Sequence, residues 1–294
     1  MIKSRGVILI LTYARSNLLN ELFESIQRLT DVENVSIVVV RQIGNDSVSK
    51  TLNKWQDLIE VLIETDGSAD SVAENISKNR LAGYAVSFDS LGADWVLAVE
   101  DDVLLASDTI LFTKCVFEKY QSHRNFRAIN LGSRLIRSGL GTTTYCLTRF
   151  GVYGQASVLP RSTWQKMRRL GIVKSARSGH WDSAMEAFVK TGFCVAPNNS
   201  RYIDRGWVEA THMSSNPEED YYKDINASFA QQNESPNTCF KRMDLGYWWR
   251  EDLKKYQSWK NVIYWITFIL RSPFAIQSFR KLRKFYEIFL GENR

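Results

Sequence analysis

The sequence contains few cysteines and prolines, and each scarcity excludes a class of protein. Its four cysteines lie far apart with no Cys-x-x-Cys pair, which argues against a zinc ribbon and a disulfide framework and favours a reducing compartment. With five prolines, 16 glycines and 44% apolar residues, the 294-residue chain has neither a disordered nor a fibrous composition. It is long enough for one large α/β domain with an appendage, or for two small domains.

Long apolar runs are also missing. The run at residues 7–11 is short for a signal peptide. Residues 262–270 provide about half of the roughly 20 apolar residues that cross a bilayer. We therefore expect a protein that is neither secreted nor membrane-spanning.

The net charge of +6 is concentrated at the carboxyl end of the sequence. Residues 250–294 hold ten Lys or Arg against four acids, whereas residues 1–249 hold 28 of each sign. A neutral body with a basic end differs from a uniformly basic protein, so we expect no nucleic-acid partner.

The basic end is also rich in aromatic residues. Residues 247–294 contain 13 of the 36 Phe, Trp and Tyr, and their apolar side chains recur at helical spacing on either side of Pro273. We predict amphipathic helices that lie on the inner face of the cytoplasmic membrane. Docking on the protein's own core or in an oligomer is the alternative. A polar connector at 214–246 separates these helices from the body at 1–213.

Strand and helix patterns alternate through the body. Continuous apolar or β-branched runs at 6–12, 34–40 and 94–99 predict buried strands, and 58–63 is a further candidate. Residues 71–90 have a helical pattern between them. This alternation predicts an α/β fold with a mainly parallel sheet, which binds ligands beyond the carboxyl ends of its strands.

Three adjacent acids, Glu100, Asp101 and Asp102, directly follow the predicted strand at 94–99. Carboxylates held between apolar residues repel one another and resist desolvation. A divalent cation with a preference for oxygen ligands, Mg²⁺ or Mn²⁺, would relieve that repulsion. The alternative is a solvated acidic turn.

With the first strand and the turn after Val40, this acidic motif resembles the GT-A glycosyltransferases over residues 6–213. The resemblance is to bacterial family-2-like transferases and to N-acetylglucosaminyltransferases that use Glu-Asp-Asp. It implies a metal-dependent, inverting transfer of a sugar from a nucleoside-diphosphate sugar, with UDP-sugars favoured. The acceptor would be a hydroxyl of a glycan or lipid-linked oligosaccharide in polysaccharide or lipopolysaccharide assembly.

The resemblance also assigns roles on the donor side. It implies that Asp102 binds the metal and that Glu100 and Asp101 face the ribose and the sugar. The remaining nucleotide-sugar contacts that it implies are Thr12, Tyr13 and Arg15 after the first strand, Gln42 (or Asp46) after the second, and Asn79 with Arg80 in the preceding helix. From the residues alone, two structural roles are as well supported as these contacts. Arg15 could be a surface residue at the start of a helix, and Arg80 could be the partner in a salt bridge.

On the acceptor side, the segment 145–164 and the series Trp181-Asp182, Pro197 and Thr211-His212 match the same families. The resemblance implies acceptor contacts from Gly154 and Trp181, a catalytic base in Asp182, and a second metal ligand in His212. Asp182 as a helix N-cap, with a capping box from Ser183 and Glu186, remains open, as does a structural His212.

Two other classes of function stay open. A nucleotidyltransferase also gathers acids around Mg²⁺, although it usually has a glycine-rich basic loop after its first strand. A non-catalytic sugar-nucleotide-binding module on the membrane surface would need only the basic end. The sequence leaves the oligomeric state open.

Overall fold

An eight-stranded sheet forms the centre of the computed structural model, which describes residues 4–132, 145–148, 155–176, 181–189, 191–197 and 199–206. The large sheet contains β1 (Gly6–Thr12), β2 (Val35–Gln42), β3 (Val61–Thr65), β4 (Trp95–Glu100), β6 (Phe126–Asn130), β7 (Tyr145–Thr148), β8 (Ala156–Pro160) and β9 (Phe193–Pro197). A second, two-stranded sheet pairs β5 (Val103–Leu105) with β10 (Tyr202–Asp204).

The strand order in the large sheet is β3-β2-β1-β4-β8-β6-β9-β7. Strands β1 to β4 are mutually parallel, and β6 and β9 run in the same direction. Only β7 and β8 run the opposite way in this sheet. The predicted α/β class with a mainly parallel sheet is therefore confirmed.

Helices cover both faces of the sheet. The apolar residues of α1, α2 and α4 pack on one face, and those of α3, α5, α6 and α7 pack on the other. The helices are α1 (Ser16–Gln27), α2 (Asp46–Lys54), α3 (Val72–Ala85), α4 (Thr109–Tyr120), α5 (Arg161–Arg169), α6 (Ile172–Ala176) and α7 (Trp181–Val189).

Strand β1 shows why a continuous apolar run predicts a central strand. All seven of its residues are buried, because alternate side chains enter the two cores. Ile8 and Ile10 contribute to the core beneath α1 and α4, whereas Leu9 contributes to the core beneath α3 and α7. A strand covered on both faces has no polar side and therefore loses the alternation of an exposed strand.

Two predicted boundaries differ from the structure by more than two residues. A 3-10 turn at Gln56–Leu58 delays the third strand, which begins at Val61 rather than near 58. The helix predicted over 71–90 ends at Ala85 and continues as a π-helical turn at Val86–Ser90. Its start is as expected, since the Ser71 hydroxyl accepts a hydrogen bond from the Glu74 N–H at 3.1 Å.

The connector at 214–246 and the amphipathic helices at 247–294 lie outside the described residues. So do two predicted site residues, Gly154 and His212. Within the described ranges, no helix combines the length and apolar character needed to cross a membrane.

Candidate functional site

The carboxyl ends of β1 and β4 meet at one edge of the sheet. Leu11 pairs with Glu100, the last residue of β4, and the Asp101 N–H donates to the Leu11 carbonyl at 3.1 Å. Thr12 ends β1 at the same level. The chain segments that contain the acidic motif and the Thr12–Arg15 loop are thus neighbours, although they are far apart in sequence.

Asp101 binds this loop. Its Oδ2 atom accepts hydrogen bonds from the Thr12 hydroxyl at 2.9 Å and from the Tyr13 N–H at 3.3 Å. Its Oδ1 atom lies 2.9 Å from the Arg15 guanidinium. The resemblance directs Asp101 toward the donor sugar, but in the structure its buried carboxylate is bound by the protein itself.

The two carboxylate oxygens of Asp102 have different surroundings. Oδ2 pairs with Nη1 of Arg15, whereas the buried Oδ1 has no hydrogen-bond partner among the described residues. An unsatisfied buried acceptor costs about 1–3 kcal/mol, and more when it is charged. This oxygen could coordinate a cation as a monodentate ligand.

Glu100 is held by a different cation. Nη2 of Arg80, a residue of α3 that is only 1% exposed, donates to the Glu100 Oε1 atom at 2.8 Å. Asn79 precedes Arg80 on the same helix and is half-buried. The salt-bridge role that the sequence left open for Arg80 is therefore present, and it lies at the edge of the site.

Gln42 lies at the carboxyl end of β2 and packs against the segment that follows β3. A side chain at Gly67 would overlap the Gln42 amide, with the Gln42 Cγ atom 2.9 Å from the added carbon. Gly67 also has a φ of +66°, which an L side chain rarely adopts. Tyr13, which follows the neighbouring strand β1, is 56% exposed.

Trp181 and Asp182 begin α7. Trp181 is buried, with its ring 5.1 Å from the ring of Tyr84. Asp182 is exposed in the first turn of the helix, and Ser183 is its third residue, so neither occupies the N-cap position. The charge of Asp182 acts on the acidic motif. Burial is the main cause that raises the pKa of Glu100, and the negative charges of Asp102 and Asp182 raise it further.

The site contains more carboxyl groups than guanidiniums. Burial is the main cause that raises the pKa of Glu100, Asp101 and Asp102, while the Arg15 and Arg80 guanidiniums oppose it. Burial also raises the pKa of Asp204, at the end of β10, to about 7. The described side chains that interact here comprise five carboxylates and two guanidiniums: Glu100, Asp101, Asp102, Asp182 and Asp204 with Arg15 and Arg80. A bound cation would offset this excess.

The described residues do not form a complete metal cage. No group of three or more His, Cys, Asp or Glu in the described ranges has an arrangement that could hold a metal ion. The single oxygen of Asp102 instead fits a cation that shares its coordination with a bound phosphate and water, as Mg²⁺ commonly does.

Sequence reasoning missed Asp204 and Gly206. Asp204 is the last residue of the short strand β10 and Gly206 lies two residues further, and the pairing of β10 with β5 brings this segment next to Asp102. The only signal in the sequence was Asp204 directly after the apolar pair Tyr202-Ile203, with Gly206 two residues later. That signal does not reveal which strand β10 pairs with.

Comparison with known proteins gives fold likenesses only. No protein-family model matches the chain, and no curated protein matches it. The mannosyltransferase PcManGT from Pyrobaculum calidifontis, solved with GDP-Man and Mn²⁺, is 15% identical with a TM-score of 0.48, over 80% of this chain and 67% of that one. TarS from S. aureus is 10% identical with a TM-score of 0.45, over 67% of this chain and 36% of that one. The 1–349 fragment of TarS is 11% identical with a TM-score of 0.49, over 92% of this chain and 81% of that one.

With such low identities and TM-scores below 0.5, these likenesses assign neither a family nor an activity to the chain. The geometry of the site carries the functional conclusion.

The bond between Thr12 and Asp101 makes the structure of this site testable. Thr12→Val keeps the shape of the side chain but removes the hydroxyl that donates to the buried carboxylate. We expect the free energy of unfolding, measured by urea titration, to fall by about 1–3 kcal/mol, as for a lost hydrogen bond to a charged group.

Thr12→Ser, which retains the hydroxyl, should lose less stability. Thr51→Val is the matched control, since the Thr51 hydroxyl makes an exposed bond to the Ser47 carbonyl at 3.2 Å. If Thr12→Val were no more destabilised than Thr51→Val, the bond to Asp101 would not hold the loop.

Proposed function

We propose that this protein is a metal-dependent, inverting glycosyltransferase that uses a nucleoside-diphosphate sugar, with UDP-sugars favoured. The observation that carries the proposal is the acidic cluster at the carboxyl ends of β1 and β4, in which the buried Asp102 Oδ1 atom has no hydrogen-bond partner among the described residues. Parallel α/β sheets bind their ligands at this edge. The resemblance of the Glu-Asp-Asp motif to GT-A enzymes supplies the reaction class.

Mn²⁺ or Mg²⁺ is the proposed cofactor. Asp102 would hold it through Oδ1, and His212, outside the described residues, is the proposed second ligand. The cation would offset the charge that develops on the departing diphosphate.

The donor would lie along the edge formed by the ends of β1 and β2. The exposed Tyr13 and the half-buried Gln42 are proposed contacts of the nucleoside. Asp101, by binding Thr12 and Arg15, would keep this loop in the conformation that receives the donor. Arg80, through Glu100, would orient a carboxylate toward the ribose.

Asp182 is the proposed catalytic base. Its carboxylate is exposed, so an acceptor hydroxyl can reach it, and it is close enough to the cluster to affect the pKa of Glu100. The hydroxyl oxygen would attack the anomeric carbon from the face opposite the diphosphate, and its proton would pass to Asp182. Trp181, packed on Tyr84, would fix the start of α7, and Gly154 is a further proposed acceptor contact.

The function is tested by donor binding in the presence and absence of metal. We expect one of a panel of UDP-, GDP- and dTDP-sugars to raise the melting temperature only when Mn²⁺ or Mg²⁺ is present. Asp102→Asn should abolish this metal-dependent increase, because the amide replaces the charged oxygen of the proposed ligand.

Asp89→Asn is the control for this variant, since Asp89 is a surface acid paired with Arg168 at 2.9 Å. Metal-dependent donor binding that persists in Asp102→Asn would reject the metal site. Release of diphosphate from a nucleoside triphosphate would favour a nucleotidyltransferase. Donor binding without any turnover would favour a non-catalytic module.

The role of Asp182 gives a separate prediction. Asp182→Asn should lower the turnover of transfer by about 10²- to 10⁴-fold, because the amide cannot accept the acceptor's proton. The affinity for the donor, measured by calorimetry, should stay the same. Glu118→Gln, at an exposed position of α4, is the control for loss of a surface acid. Wild-type turnover in Asp182→Asn would exclude it as the base.

We also propose that residues 247–294 attach the enzyme to the inner face of the cytoplasmic membrane, where its acceptor would be a lipid-linked oligosaccharide. The basic and aromatic composition of this segment supports the proposal. Deletion of 247–294 should release the protein from anionic liposomes, measured by co-sedimentation, without changing donor hydrolysis. Zwitterionic liposomes are the control, and undiminished binding of the deletion variant would refute the anchor.

A further inference from the structure

The end of β10 lies directly against Asp102. In the antiparallel pairing of β5 and β10, Asp204 is opposite Val103, the residue after Asp102. The next N–H along the chain, that of Arg205, donates to the Asp102 carbonyl at 2.8 Å. The backbone carbonyl of Asp102 is therefore held by a hydrogen bond to this segment.

Gly206 touches the carboxylate of Asp102 itself. A Cβ atom at Gly206 would overlap the Asp102 Oδ2 atom and lie 2.6 Å from Cγ of the same residue. It would also lie 2.7 Å from Nη1 of Arg15, the atom that pairs with that oxygen. Gly206 is not among the described residues with a positive φ, so the close approach, and not the backbone conformation, requires glycine here.

Asp204 holds Gly206 in this position. Its Oδ1 atom accepts a hydrogen bond from the Gly206 N–H at 2.9 Å, and its side chain is buried. Residues 204–206 thus form a short turn closed by this hydrogen bond, and the Gly206 backbone in it lies against the Asp102 carboxylate.

We propose that Asp204 and Gly206 are positioning residues of the proposed metal site. They fix the Asp102 carboxylate so that Oδ2 stays with Arg15 and Oδ1 alone is left for the cation. The inference rests on the proposed function. Outer residues that orient a metal-binding side chain typically contribute 10- to 100-fold to metal affinity.

The first test is Gly206→Ala in the full chain. The readout is the affinity for Mn²⁺ in the presence of UDP or GDP, measured from the EPR signal of free Mn²⁺. We expect a loss of about 10- to 100-fold, because the added methyl displaces the carboxylate from Arg15. An unchanged affinity in the folded variant would overturn the proposal.

Gly83→Ala is the matched control for this variant. Its added Cβ would overlap the Leu9 Cδ1 atom and lie 2.7 Å from Cδ2, so the atoms that it meets first belong to a core residue and not to Asp102 or Arg15. It should lower the melting temperature but leave the Mn²⁺ affinity unchanged. A similar loss of affinity in Gly83→Ala would show that general destabilisation explains the effect, which would also overturn the proposal.

Asp204 provides a second test that remains decisive if Gly206→Ala does not fold. Asp204→Asn retains an oxygen that accepts from the Gly206 N–H, so it should keep the Mn²⁺ affinity within about threefold of wild type. Asp204→Ala removes that oxygen and should lose about 10-fold or more. Equal losses in the two variants would mean that the negative charge of Asp204 is needed, and would overturn a positioning role.

Arg205→Ala should bind Mn²⁺ as the wild type does, because it keeps the backbone N–H that donates to Asp102.

Measurements on the wild-type protein distinguish failure of the proposed function from failure of the positioning role. If it shows no metal-dependent nucleotide binding, the proposed function fails and this inference fails with it. If it shows such binding while the Asp204 and Gly206 variants behave as wild type, only this inference fails.

Discussion

The ion pairs of Arg15 with Asp101 and Asp102 hold the site together. Two adjacent buried carboxylates would repel each other, and Arg15 is the cation that reaches both. Arg15 occupies the N-cap position of α1, where a short polar side chain usually caps the helix, and it makes no such bond. The helix start thus lacks its usual cap, while the side chain that stands there neutralises the acids.

Three consecutive acids have three different environments. Glu100 is bound by Arg80 from α3, Asp101 is bound by the loop after β1, and Asp102 shares Arg15 but keeps one oxygen unpartnered among the described residues. The third alone keeps a buried oxygen that has no partner among the described residues. The motif therefore combines two residues that organise the sheet edge with one proposed ligand, a division that its acidic composition alone does not reveal.

Local patterns predicted the central part of the fold. The apolar runs of β1 and β4 are buried on both faces, so they predicted the strands and the edge where the acids stand. Contacts between distant segments were not predictable in this way. The partners of Asp101, the burial of Arg80 and the approach of Gly206 depend on how helices and strands pack, and no local spacing records it.

The pairing of β5 with β10 has a consequence for how the chain matures. Between these strands in sequence lie β6, β7, β8 and β9, all of which belong to the large sheet. Contacts of such long sequence separation form late in folding, because their loops are costly to close. In a chain still being synthesised, the side of Asp102 that Gly206 covers would therefore stay solvated until β10 has been made and has paired with β5.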